Sequence, residues 1–177
     1  MERMLAETNR TLCARAVEIM ALDEIDEFTR LIHPDAVNRE ADAEPPACRG
    51  RGPAAFHASA RWLQDAYADL RWEIHDVVAD TDLVTVHCTM SGRHVGTFVT
   101  YDKQGRVADV FPPTGKTFAT TQTHCFRVAD GQVVEHWANR DDLGTARQLG
   151  WLPPTPPYLM RMAREKRRVR RSQARNA

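Results

Sequence analysis

FATTQTHCFRVADGQVVEHWAN, residues 118–139, holds two runs of alternating side-chain character on either side of Ala129-Asp130-Gly131-Gln132. An Asp-Gly pair between two such runs is a tight hairpin turn, so the stretch predicts two long antiparallel strands. Side chains alternate faces along a strand. Gln122, His124 and Phe126 therefore share one face, and Thr121, Thr123 and Cys125 the other. On the second strand Glu135, Trp137 and Asn139 share one face, and Val134, His136, Ala138 and Arg140 the other. The turn pairs the strands, so one concave face can gather Gln122, His124 and either His136 or Glu135. Imidazole, carboxylate and amide in one pocket are acid–base equipment.

Reading outward, WEIHDVVA (72–79) and LVTVHCTMSGRHVG (83–96) form a second predicted hairpin about Asp80-Thr81-Asp82. Residues 97–101 extend the strand pattern, and 101–116 make a long connection. Before the strands come helical patterns. Leu5, Leu12, Ala16, Ile19 and Met20 predict a helix over 3–21, and Ile25, Phe28 and Leu31 a second over 23–31 that Pro34 stops. A stripe of Phe56, Ala60, Leu63 and Tyr67 behind Pro53 predicts a third over 53–68. After the strands, 141–151 reads as a short closing helix whose first turn Asp141 or Asp142 can cap. PPTPPYL (153–159) reads as an extended arm that its prolines keep from being helical. Helices followed by a run of antiparallel strands predict an α+β fold, a curved sheet wrapped around N-terminal helices.

The chain has 177 residues, 42% hydrophobic and 27% charged, which suits one globular domain. That domain is expected over 1–152, with 153–177 a Pro-rich arm and a basic, flexible tail. No apolar run is long enough to span a membrane, and MERMLAETNR lacks the apolar stretch of a secretory signal, so the expected location is cytoplasmic. Cys13, Cys48, Cys88 and Cys125 stand far apart with no CxxC pair, as reduced thiols packed like small hydrophobes do. Net charge is zero, but residues 159–177 carry eight basic side chains against Glu165 alone, a net +7, leaving −7 on the rest. With no aromatic beyond Tyr158 to stack on a base, the tail reads as solvated rather than as a nucleic-acid site.

Two motifs mislead. Gly115-Lys116-Thr117 ends a phosphate-loop pattern, but the position of its first glycine is Val110, and a strand rather than a helix follows. His87, His94, His124 and His136 all fall on predicted strands, yet no carboxylate joins them at a metal-site spacing, so no metal is expected.

The run from Thr121 to Gly150 closely resembles the C-terminal signature of SnoaL-like polyketide cyclases, through Phe126-Arg127, Asp130-Gly131, Glu135-His136-Trp137, Asp141 and Gln148-Leu149-Gly150. Gly92-Arg93-His94-Val95-Gly96, PPTGK (112–116) and Pro34-Asp35-Ala36-Val37-Asn38 resemble its upstream signatures. The resemblance covers about residues 10–152. It implies the nuclear transport factor 2-like cone with a deep apolar cavity. It implies intramolecular aldol-type ring closure of a polyketide ester, without metal or organic cofactor. Gln122, His124 and Asn38 match polar pocket positions. An acid/base aspartate is implied just after the tryptophan of the Glu-His-Trp motif, where this chain has Ala138; the nearest carboxylates are Asp141 and Glu135.

The resulting expectation is a cofactor-independent enzyme acting on an apolar, carbonyl-bearing small molecule. His124 or His136 would be the base, with Asp141 or Glu135 orienting it or serving as acid. Gln122 and Asn38 would hydrogen-bond a developing oxyanion. Trp137, His94 and Phe126 would complete the substrate site, and the protein would be a homodimer. The alternatives are a non-catalytic pocket for a hydrophobic ligand, a hydrolase or cofactor-free oxygenase on the same scaffold, and a structural role in a sheet-mediated dimer.

Overall fold

The computed structural model describes residues 2–175. Its helices are α1 (Glu2–Glu18), α2 (Ile25–Leu31), α3 (Gly52–Ala66), α4 (Asp142–Leu149) and α5 (Pro156–Arg175). Its strands are β1 (Ile32–Asn38), β2 (Tyr67–Asp80), β3 (Leu83–His94), β4 (Phe98–Tyr101), β5 (Val107–Phe111), β6 (Thr117–Ala129) and β7 (Gln132–Arg140). Five strands make one sheet in the order β1-β7-β6-β3-β2, and β4 and β5 pair as a separate ribbon. The predicted α+β architecture is present, with α1 to α4 and both long hairpins where the patterning placed them.

Alternation builds the inner face. Along β3, Val84, Val86, Cys88 and Met90 are buried, and each is flanked by half-buried neighbours. Val84, Val86 and Cys88 pack with Cys13, Ala16 and Val17 of α1, Phe28 and Leu31 of α2, and Phe56 and Ala60 of α3, the apolar stripes of three helices. A second cluster of Tyr67, Met90, Phe118, Leu149, Trp151 and Tyr158 closes the other end of the cone. All four cysteines are free.

Four features differ from the sequence reading. First, β1 joins the sheet parallel to β7, with Asn38 in register with His136. Second, the strand pattern from β3 does not run on to residue 101. Gly96 interrupts it, with its N–H bonded to Ala66 O, at a point where an added Cβ would lie 1.9 Å from Asp65 O. Third, the long connection contains β5.

Fourth, residues 156–175 are helical. Pro156 and Pro157 sit in the first turn, where the missing N–H has no intrahelical partner to lose. The helix is anchored along one face, while most of its side chains are exposed. Tyr158 is 7% exposed and donates to Pro112 O at 3.1 Å. Arg161 donates to Pro113 O, Arg170 donates to Val107 O, and Lys166 pairs with Asp109. Basic side chains of the tail thus satisfy carbonyls along the β5 segment, and the edge of the ribbon is covered.

Candidate active site

The cone encloses a cavity of about 320 Å³, within the range of small-molecule sites. One end is aromatic and apolar: Trp62, Tyr67, Phe98, Phe111, Phe118 and Trp151. The other is polar and is built where β1, β6 and β7 meet.

The polar end depends on a bulge. Residues of β6 and β7 face each other as Gln122↔Arg140, His124↔Ala138 and Phe126↔His136, but the register shifts between Arg127 and Val128, so that Val128 faces Val133. The extra residue on β7 changes which side chains face inward. Val133 and then His136, Ala138 and Arg140 lie on the cavity side, and Glu135, Trp137 and Asn139 on the outer face. This decides between the two residues that alternation left open: His136 joins His124, and Glu135 does not. Glu135 instead pairs with Arg39, whose guanidinium lies over the Trp137 ring at 5.3 Å.

A continuous hydrogen-bonded chain of four side chains results. His124 Nε2 lies 2.9 Å from Gln122 Oε1, and His124 Nδ1 lies 2.9 Å from His136 Nε2. His136 Nδ1 lies 2.9 Å from Asn38 Oδ1. Both ends are fixed acceptors, because Gln122 Oε1 also accepts from Trp72 Nε1 and Asn38 Oδ1 from the Glu40 N–H. Two neutral imidazoles bring two N–H groups to three links. One link is therefore always lone pair against lone pair, whichever tautomers are chosen. A third proton on the pair completes all three. Against this stands the environment. Burial, then the charge of Arg140, lowers the pKa of His124, and burial, then His124 and Arg140, lowers that of His136. Both rings are half-buried by surface, but what they expose faces the cavity. The pair is thus held neutral at neutral pH, one proton short of a complete network.

Two carboxylates that sequence reasoning missed also line this end. Glu40 accepts from the Ala138 N–H at 3.0 Å and pairs with Arg140 at 3.4 Å. Glu44 is 5% exposed and hydrogen-bonds to Ser59 of α3. Burial raises its pKa, only partly offset by the Ser59 bond and Arg140. Both glutamates lie at or just beyond the end of β1, next to or within a loop rich in Pro and charge. Such a loop has no periodicity that could mark a side chain as inward.

Of the residues singled out from sequence, Asn38, Gln122, His124, Phe126 and His136 line the cavity, whereas Glu135, Trp137, Asp141 and His94 do not. Asp141 caps α4, accepting from the Gly144 N–H at 2.7 Å. His94 is fully buried behind the wall, against the rings of Tyr67 and Trp151.

The model of the SnoaL-like polyketide cyclases matches residues 11–149. The chain belongs to the SnoaL-like polyketide cyclase family. This cyclase is 33% identical over 150 residues to aklanonic acid methyl ester cyclase DnrD of Streptomyces peucetius, covering 84% of this chain and 95% of the relative. It is 31% identical to the nogalonic acid methyl ester cyclase of Streptomyces nogalater, over 72% of this chain and 84% of that one. Among solved structures, IdmH of Streptomyces antibioticus matches at TM-score 0.60 and 29% identity, over 79% of this chain and 96% of IdmH. TsrD of Streptomyces laurentii matches at 0.65 and 24%, over 82% and 97%, a likeness of fold. The protein is a polyketide cyclase-like enzyme with a small-molecule substrate. No described helix is long and apolar enough to cross a membrane.

Proposed function

We propose that this SnoaL-like cyclase closes a carbon ring in a polyketide methyl ester by intramolecular aldol addition, and that the His124–His136 pair is its base. The observation that carries the reading is the chain Gln122–His124–His136–Asn38, which lacks one proton while the pair is neutral. A base must be unprotonated before the reaction and must hold its proton favourably in the transition state. Burial meets the first requirement. The two fixed amide acceptors meet the second, since an imidazolium pair donates along the whole chain. The proton belongs to the pair rather than to either ring. The aromatic end would take the fused, apolar part of the substrate, leaving its reacting carbonyl groups at the polar end.

The substrate class follows the relatives, two of which are named for methyl ester substrates. Aklanonic acid methyl ester is therefore the probe. His124→Gln should lower the rate of ring closure by about 10²–10⁴-fold with the fold retained, as expected for loss of a general base. A folded His124→Gln protein that cyclises the probe at the wild-type rate would exclude the pair as base.

A further inference from the structure

An aldol ring closure moves two protons, one off carbon and one onto oxygen, and a base accounts only for the first. We propose that Glu44 is the acid for the second: its carboxylic acid protonates the carbonyl oxygen that becomes the new hydroxyl. The inference rests on the cyclase reading above and adds a residue to it.

Two observations point to Glu44. The first is its place. It lines the same cavity as the histidine pair and is otherwise buried, among α3 and the loop after β1. The second is a proton count. The Ser59 hydroxyl lies against both Glu44 Oε2 and Ala55 O, the latter at 3.3 Å. A hydroxyl has one hydrogen. The Ser59 hydrogen can serve only one of them fully: placed on Ala55 O, it leaves the Glu44 contact to be made by a protonated Glu44 donating to Ser59. Burial acts in the same direction by raising the carboxyl pKa. Glu40, the other carboxylate lining the cavity, differs in its bonding: it is paired with Arg140 and accepts from a backbone N–H, as an anion does.

The cavity thus holds a neutral base short of one proton and an acid that still has one. The step balances. The pair takes the substrate C–H proton, and the carbanion pair forms the new C–C bond at the ketone carbon. The C=O π electrons move to oxygen, which takes the proton from Glu44 as the carboxyl O–H breaks. An imidazolium pair and a Glu44 carboxylate remain. Proton return from one to the other after product release resets the site.

Glu44→Gln keeps shape and a hydrogen-bond donor toward Ser59 but has no proton to give. In D2O with aklanonic acid methyl ester, enzyme-dependent exchange at the acidic carbon, above the enzyme-free blank, reads the base alone. Ring closure reads both steps. The expected result is exchange within about 3-fold of wild type and closure down by about 10²-fold or more. Closure near the wild-type rate in Glu44→Gln overturns the proposal while leaving the base standing. Parallel loss of exchange and closure in a folded variant overturns it too, since Glu44 then only shapes the site. Absence of exchange in the wild type removes the base reading and the proposal with it. Should Glu44→Gln not fold, infrared spectroscopy of wild type and a folded Glu44→Asp protein decides. A buried carboxylic acid C=O band at neutral pH in wild type, displaced in Glu44→Asp, is required, and a carboxylate spectrum overturns the proposal.

Discussion

His94 tests how far burial governs the ionisation of this protein. The ring is fully buried, lies tilted against Tyr67 and edge-on to Trp151, and its Nε2 has no hydrogen-bond partner. Burial lowers its pKa from 6.5 to about 4. Between those values the unfolded chain binds a proton that the folded one refuses. The stability His94 contributes is complete above the unfolded pKa and is lost as pH falls toward the folded one. At about pH 5, nearly all of the unfolded and about a tenth of the folded population would be protonated there, a loss of about 2 kcal/mol. The perturbation is His94→Asn, whose Oδ1 can take over from Nδ1 as acceptor of the Thr114 N–H, a bond of 3.3 Å in the wild type. The assay is urea denaturation of both proteins at about pH 7.5 and pH 5. The variant should start less stable because the ring contacts are gone, but acidification should cost it about 2 kcal/mol less than wild type. His124 and His136 titrate in both proteins and cancel from the comparison. Equal acid losses in the two proteins would refute a buried neutral His94.

Asp141→Ala should lower stability by about 1 kcal/mol through loss of the α4 cap. It should leave ring closure of aklanonic acid methyl ester unchanged, and a tenfold fall in kcat with the fold intact would return Asp141 to the chemistry. On α5, Tyr158→Ala should cost about 3 kcal/mol in thermal melts, as for other buried aromatic residues. Truncation after Ala163 removes partly exposed polar anchors such as Lys166 and Arg170 and should cost about 1 kcal/mol. Similar losses from the two changes would mean that the basic turns, not Tyr158, hold the helix down.

Much of the fold was legible because its signals are local. Asp130-Gly131 and the alternating runs beside it mark the β6–β7 hairpin, and the stripe behind Pro53 marks α3. What was not legible depends on non-local or compensated features. The bulge on β7 decides between His136 and Glu135, which alternation left open, and only the sheet reveals it. The parallel β1–β7 pairing brings Asn38 to a histidine 98 positions away. The two prolines opening α5 read as helix breakers because their cost vanishes only in a first turn. Glu44 gave no signal, since a charged residue among prolines looks like any solvated loop.

Ala138 shows how the two kinds of reading connect. In sequence it marks the absence of an aspartate. In the sheet it stands directly opposite His124, with His136 and Arg140 on either side of it along the same face. Diagonal neighbours on adjacent strands meet only if the position between them leaves room. The methyl group of Ala138 leaves that room, and the rings of His124 and His136 lie 5.2 Å apart at an angle of 21°. A carboxylate on residue 138 would fill the same space and would face Glu40, already bonded to the Ala138 N–H. Two carboxylates would then compete for Arg140, and the histidine pair would lose its contact. On the reading proposed above, the proton acceptor that the family resemblance expects as a carboxylate at residue 138 is supplied here by two imidazoles that β6 and β7 hold together.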